Sequence, residues 1–469
     1  MLDVLLINPN YKEKLWKNTL SLYPPLGLSY LAAYLRTKLI KVAILEANAF
    51  ELSEEETVKK TVESGAKIIG IGASTATTEI VFNLCKKIKE KDPSKIVVFG
   101  GVHATCLPKD SLENCPSIDY IVIGEGEKIF YNLVNALKNK KSVKKIKGVA
   151  FIYKKKFVQN PPEELIKNLD ELPFPARDLL PIHLYRPGSE FDMGFRGKEY
   201  AEIISSRGCP NKCVFCSSAH FWKIIRIRSV NNIVEEIKEL KKEGVKHITF
   251  VDDTITLSKS FILELCEKIT PLKLKWDCYA RVNNLTDDVV KAMKKSGCFA
   301  ARIGYESGNN EILKKIKKNT NIEQAREATK ILKKYGIRIL GFFMIGLPGD
   351  TKETIEDTIN FAIELSPDIF SFLITTPLPG TEMFEEYKAK GWISEKPIWR
   401  NMTLQTSEFT RTDELSAKDI SEYYLQANRR LILRPKYWMQ IILHFIKNPN
   451  ELKIYFFRFI EKVKIEKRK

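Results

Sequence analysis

Hydrophobic and polar positions along the chain fall into two successive alternating patterns. In the first, the short aliphatic runs Met1–Ile7, Lys41–Glu46, Ala66–Gly72, Lys95–Gly100 and Ile118–Ile123 are separated by stretches of helical period. Five such runs in β-α alternation predict a doubly wound parallel sheet, an α/β fold over residues 1–140. A hairpin is expected at Lys144–Val158, turning at Lys154-Lys155-Lys156, followed by an extended passage held by Pro173 and Pro175; residues 141–198 read as a connector. In the second pattern, strands are expected at Ala201–Ser205, His247–Val251, Lys275–Ala280, Phe299–Gly304, Ile337–Ile345 and Ile369–Thr375, with amphipathic helices such as Val230–Glu243 and Asp287–Ser296 between them. Six β-α units over residues 199–400 predict a partial barrel of the TIM type, with its chemistry at the carboxyl ends of the strands. Beyond it, residues 401–469 form a tail in which Leu452, Tyr455, Phe456, Phe459, Ile460 and Val463 share one helical face.

Composition narrows the class. With 469 residues, 44% of them hydrophobic, the chain has material for two or three cores. No apolar run has the length of a bilayer span and the first residues lack the features of a signal peptide, so a cytoplasmic protein is expected. Half of the formal charge of +18 sits in residues 428–469, where twelve Lys and Arg stand against three Asp and Glu. That basic amphipathic tail suits docking on its own barrel or lying at an anionic membrane surface, and docking is the commoner fate of such a face. No recognisable motif supports specific nucleic-acid binding.

Chemistry concentrates in Cys209-Pro210-Asn211-Lys212-Cys213-Val214-Phe215-Cys216. Three thiols so close can converge on one metal centre, and a four-iron cluster held by three rather than four thiolates leaves one iron open. The alternative is a structural zinc site with His220 as fourth ligand, in a binding protein without catalysis. Six further cysteines (85, 106, 115, 266, 278 and 298) stand singly in apparent elements and read as small buried hydrophobes.

The C-x3-C-x2-C spacing with Phe215 before the last cysteine resembles the signature of the radical S-adenosylmethionine (SAM) superfamily. The resemblance implies that Cys209, Cys213 and Cys216 hold a [4Fe-4S] cluster, whose open iron binds SAM, and that an external electron donor reduces the cluster to release a 5'-deoxyadenosyl radical. Ile303-Gly304-Tyr305-Glu306-Ser307-Gly308, Gly341–Gly349 and Pro377-Leu378-Pro379-Gly380-Thr381 are similar to motifs of the same core. Strand ends then supply SAM-binding candidates: Asp252 and Asp253, Arg281, Glu306 and Ser307, and Gly346. In the first sheet, Pro24–Leu28, Gly100-Gly101-Val102-His103-Ala104 and Gly124-Glu125-Gly126-Glu127 resemble the cobalamin-binding domain that precedes the radical core in one large subfamily, as does the Pro173-Phe174-Pro175-Ala176-Arg177 connector. Its carboxyl edge gives Asn8, Ser74, Thr75, Gly100, Gly101, His103, Gly124 and Glu125 as cofactor-binding candidates. The Asp-x-His-x-x-Gly loop that delivers a histidine to cobalt is absent, since no histidine precedes His103. The subfamily includes methyltransferases, ring-forming enzymes such as an anaerobic magnesium-porphyrin cyclase, and carbon–carbon coupling enzymes. Cobalamin-dependent methylation of a small molecule is the expected reaction. The aromatic residues Phe191, Phe195, Trp222 and Trp399 suggest an apolar substrate such as a lipid or tetrapyrrole, or else inter-domain packing.

Overall fold

A computed structural model describes residues 2–11, 22–186, 195, 197–394, 397–405, 408–435, 438, 439 and 442, the side chains of 219 and 220 excepted. The first sheet contains β1 (Val4–Asn8), β2 (Val42–Glu46), β3 (Ile68–Gly72), β4 (Ile96–Gly100), β5 (Tyr120–Val122), β6 (Val149–Tyr153) and β7 (Lys156–Gln159). Their order is β2-β1-β3-β4-β5-β6-β7, parallel through β5 and antiparallel for the last two. Strands aliphatic at every position form here because helices cover both faces. Leu5 and Ile7 pack with Val81, Leu84 and Phe99 on one side, while Val4 and Leu6 pack with Leu35, Phe130 and Leu133 on the other.

The predicted hairpin belongs to this sheet rather than to a free connector. β6 pairs with β5 through Ile121 and Ala150, so it covers the backbone groups that β5 would otherwise leave open at an edge. Its turn is Lys154-Lys155, both in the left-handed region at φ +50° and +63°, as a two-residue hairpin of the I′ type demands. The Pro-containing passage after it is seated on both halves of the molecule. Ala176 N donates to Ser29 O at 3.1 Å, and Arg177 Nη2 reaches Glu202 O and Glu236 Oε1, each at 2.7 Å.

The second sheet is the expected open barrel. β8 (Tyr200–Ile203), β11 (His247–Phe250), β12 (Lys275–Ala280), β13 (Cys298–Glu306), β14 (Arg338–Ile345) and β15 (Ile369–Ile374) lie parallel in sequential order. Between β8 and β11, β9 (Ser206–Arg207) and β10 (Arg226–Ile227) make a separate antiparallel ribbon. Alternate residues divide cleanly: Ala201, Ile203, Ile248, Phe250, Trp276 and Cys278 pack against the surrounding helices. The intervening Glu202, His247, Thr249, Asp277 and Arg302 are buried on the opposite, inner side. There Asp277 takes His247 Nε2 at 2.6 Å and the Thr249 hydroxyl at 2.8 Å, and pairs with Arg302. Such a layer satisfies the polar side chains that an apolar lumen would leave unpaired. Capping boxes at Asn321 and Thr351 fix the starts of the helices Ile322–Lys334 and Lys352–Leu365 outside the barrel.

The helix Ala417–Ile432 docks on the barrel core through Ile420, Ala427 and Leu431. The basic helix expected at 452–463 lies outside the described residues. Among the described residues no helix is long and apolar enough to cross a membrane. Cysteines that stand singly in the sequence meet in space. The free thiols of Cys85 and Cys115 are neighbours, as are those of Cys278 and Cys298, with Cys266 nearby. The buried-hydrophobe reading holds for these five, whereas Cys106 is partly exposed.

Burial pushes the Glu202 carboxyl up to about 7 from the ordinary 4.5, against the opposing pull of Tyr200, Arg302 and Arg177. The folded chain therefore holds a proton there that the unfolded chain releases. This contribution to stability is complete below about pH 4.5 and is lost as pH rises to about 7. Glu202→Gln is expected to flatten that part of the profile, measured by urea unfolding of the metal-free protein between pH 5 and 7.5.

Candidate active site

The carboxyl ends of the first-sheet strands face the loop that follows β8, and a cavity of about 610 Å³ lies between them. Asn8, Ser74, Gly100, Gly101, Gly124 and Glu125 line it from the sheet side, and Ile204, Arg207, Phe221 and Trp222 from the barrel side. It runs deep beneath the sheet edge, to Leu6, Val98, Val122 and Phe130. Gly70 creates that depth, because a Cβ there would lie 2.7 Å from Leu6 Cδ2 and 3.1 Å from Phe130 Cζ. Gly101 creates the edge. Its φ of +92° and ψ of −172° belong to a region that only glycine occupies readily, and a Cβ would meet Ala73 O at 2.9 Å.

Not every predicted sheet residue reaches the cavity. Thr75 and His103 are buried behind the edge, with His103 Nδ1 3.3 Å from Thr75 Oγ1 and its ring edge-on to Trp399 at 5.0 Å. Burial pushes His103 down to about 4, so the imidazole is neutral. No histidine is among the described residues that line the cavity. Asn8 donates through Nδ2 to both oxygens of Glu46, at 2.7 and 2.9 Å, and burial raises Glu46 to about 7.

The cysteine loop enters from β9 and leaves toward β10. Gly208, at φ +104°, lets it pass under Ile224, whose carbonyl oxygen would be 2.7 Å from a Cβ. Its middle is pinned from two sides, Val214 N donating to Ile316 O at 3.1 Å and Met383 N to Val214 O at 3.0 Å. Cys216 N donates to Cys213 O at 3.0 Å, and Asn211 Nδ2 to Cys209 Sγ at 3.4 Å. Burial pushes the Cys216 thiol up to about 11, and Asp253, Cys213 and Cys209 add to the rise. Three cysteines in one half-buried loop form a donor set that a cationic iron–sulfur centre suits. Among the described residues no three His, Cys, Asp or Glu side chains converge as ligands of a single metal ion; the side chain of His220 lies outside them. Phe215 packs between two apolar clusters, one around Met383 and Phe384 and one around Ile312 and Met344.

The barrel strand ends surround this loop in different ways. Asp252 ties β11 to β8, accepting from the amides and hydroxyls of both Ser205 and Ser206, and burial raises it to about 6. Asp253 accepts from Ser218 Oγ at 2.5 Å, just past Cys216. Ser307 and Gly346 serve their own turns: the Ser307 hydroxyl meets Thr358 Oγ1 at 3.1 Å, and Gly346 N donates to Asp350 Oδ2 at 3.0 Å. Arg281 and Glu306 meet at a lysine that sequence reasoning passed over. Lys318 Nζ pairs with Glu306 Oε1 at 2.6 Å, and Arg281 Nη2 donates to the Lys318 carbonyl. These cations oppose the burial that raises the Cys213 thiol. Glu306 itself sits at φ +65° beside a register shift between β13 and β14, a strained position for a residue with a side chain. Nothing in the Lys-rich sequence around 314–318 separates Lys318 from its exposed neighbours.

Aromatic residues also divide. Trp222 lines the cavity, Trp399 packs on His103 between the two halves, and Phe195 lies 5.7 Å from the His247 ring. Phe191 is outside the described residues. Trp399 and Phe195 are packing residues rather than cavity walls.

Across the cavity a glycine-edged parallel sheet faces Arg207, Phe221 and Trp222, which flank the three-cysteine loop of an open barrel, an α/β arrangement with room for two cofactor sites. The chain matches the radical SAM superfamily over residues 203–362 and the B12 binding domain over residues 16–134. An uncharacterized methyltransferase of Pyrococcus horikoshii is 35% identical over 93% of this chain and 94% of its own length. The anaerobic magnesium-protoporphyrin IX monomethyl ester cyclase of Rubrivivax gelatinosus is 29% identical over 96% of this chain and 84% of its own. Among solved structures, the radical SAM methyltransferase TsrM of Kitasatospora setae, with cobalamin and a [4Fe-4S] cluster, superposes with a TM-score of 0.73 at 18% identity, covering 93% of this chain and 90% of that one. The chain belongs to the radical SAM superfamily, in the methyltransferase group that carries a B12-binding domain. Its cofactors are the [4Fe-4S] cluster, SAM and cobalamin. A non-catalytic zinc protein is thereby set aside.

Gly101→Ala is expected to cost about 1–3 kcal/mol of stability. Gly65→Ala is the control, since Gly65 also has positive φ, +69°, but open space at its Cβ. It is expected to cost only about 1–2 kcal/mol, and less than Gly101→Ala, by urea unfolding of the two variants side by side.

Proposed function

We propose that the chain is a cobalamin-dependent radical SAM methyltransferase that acts on an unactivated carbon of an apolar small molecule. The cavity between the sheets carries this reading, because it is bounded by the glycine edge on one side and by the residues flanking the cysteine loop on the other. Once bound, the cluster would split one SAM to give a hydrogen-abstracting radical, and cobalamin would pass on a methyl group taken from a second SAM.

The chain's own residues bind, orient and exclude water. Cys209, Cys213 and Cys216 hold the cluster, and Asp252 and Asp253 brace the two ends of the loop that carries them. Lys318, Arg281 and Glu306 stand beside Cys213 and offer both charges to the amino-acid end of SAM. Gly100, Gly101 and Gly124 let a flat macrocycle approach the backbone, and the recess made by Gly70 accepts an apolar extension beneath the sheet. His103 is held behind this edge by Thr75 and Trp399, which supports a cobalt without a histidine from the chain on that side. The largely aliphatic and aromatic lining supports an apolar substrate such as a lipid or a tetrapyrrole. Ring formation on a tetrapyrrole is the second reading, favoured by likeness to the cyclase over nearly the whole chain.

Protein purified without oxygen is expected to contain iron, sulfide and a corrinoid, and to form 5'-deoxyadenosine from SAM with a reductant. Cys213→Ala is expected to lose the cluster and with it all 5'-deoxyadenosine; formation at the parent rate would refute the cluster assignment. Comparison of lipid and pigment extracts from strains with and without the gene, by mass spectrometry, tests the substrate class. Extracts identical between the strains would count against an apolar product.

A further inference from the structure

The cysteine loop is gripped at its base by charges from the other sheet. Arg207, two residues before Cys209, is 7% exposed, and each arm of its guanidinium meets a different carboxylate: Nη1 reaches Glu125 Oε1 at 2.7 Å and Nη2 reaches Glu127 Oε1 at 2.5 Å. Two aromatic rings lie against it as well, with Cζ 5.7 Å from the Tyr30 ring centre and 5.5 Å from that of Trp222. Tyr30, Glu125 and Glu127 belong to the first sheet and its helices, and Trp222 ends the short helix that follows Cys216. Across the ribbon, Arg226 is the register partner of Arg207 and pairs with the other oxygen of Glu125 at 2.7 Å. The entry and the exit of the cysteine loop thus converge on one turn, Gly124–Glu127, which also lines the cavity.

We propose that Arg207 is a positioning residue for the reaction: by clamping the base of the cysteine loop to Glu125 and Glu127, it fixes the separation of the two cofactor sites. The proposal rests on the reading of those two sites given above. A planar guanidinium whose two arms are held by two carboxylates and which packs against two rings is fixed in angle as well as in distance, which an apolar seam does not achieve, because hydrophobic contact has no direction. Lysine at this place keeps the charge and loses the fork. The need for such a device follows from the chemistry, since a displacement of about 1 Å between reacting groups costs on the order of 100-fold in rate.

The test uses the full chain reconstituted without oxygen with a [4Fe-4S] cluster and hydroxocobalamin, in the parent, Arg207→Lys, Arg207→Gln, and the double variant Arg207→Met with Glu127→Gln. With cobalt and cluster both reduced to paramagnetic states, pulsed EPR reads the magnetic interaction between them and hence the spread of their separations. Iron, sulfide and corrinoid contents confirm that each site is loaded. The parent is expected to give one narrow spread, within the ~0.5 Å that a preorganised site keeps. Arg207→Gln and the double variant are expected to broaden it, with Arg207→Lys between them and the parent. Should Arg207→Gln not fold, the double variant decides, because it removes charge from both sides of the pair. Loaded variants with the parent's spread overturn the proposal. A parent chain that takes up no corrinoid or no cluster overturns instead the functional reading beneath it.

Discussion

Four charges buried at the seam between the two sheets constrain this molecule more than any other contact. Arg207, Arg226, Glu125 and Glu127 are each no more than 8% exposed, so each must find its partners within the protein while the halves are closed. Removing one member of such a group leaves its partner charged and unpaired, at a cost of about 3–5 kcal/mol. The two halves are therefore held in register by the need to keep each buried charge paired, and not by contact area alone. The same four residues bracket the loop that carries the three cysteines, so the register of the halves is also the register of the chemistry.

From that seam the remaining architecture follows. The parallel strands of both sheets present their carboxyl ends to the same space, where backbone turns rather than side-chain-filled strands meet a ligand. On one side glycine opens the surface: Gly70 removes the side chain that would fill the recess, and Gly101 removes the one that would collide with Ala73. On the other side carboxylates close it, Asp252 gathering Ser205 and Ser206 so that the chain turns from β8 toward Cys209 in a fixed way.

Much of this was legible in the sequence, because each strand carries a local signal. The eleven strands expected for the two sheets and the two of the hairpin all appear, since short apolar runs between helical stretches have few other fates. The spacing of Cys209, Cys213 and Cys216 named the chemistry because it is a contiguous pattern. What escaped is non-local. Lys318 looks like any lysine of its run until the fold sets it against Glu306, and the nearness of Cys85 to Cys115 joins residues thirty apart. Glu125 was legible as a cavity residue but not as the partner of Arg207 and Arg226, which are 82 and 101 positions away. The hairpin was placed correctly along the chain and wrongly in space, since only the open edge of β5 determines where it docks.

The inner layer of the barrel has one further consequence. His247, ringed by Tyr200, Phe195 and Phe299, with Asp277 and Arg302 locked above it, stops the lumen at its lower end. Among the described residues this plug closes the amino-terminal end of the strands, which leaves their carboxyl ends, at the seam, as the face on which the inner layer opens.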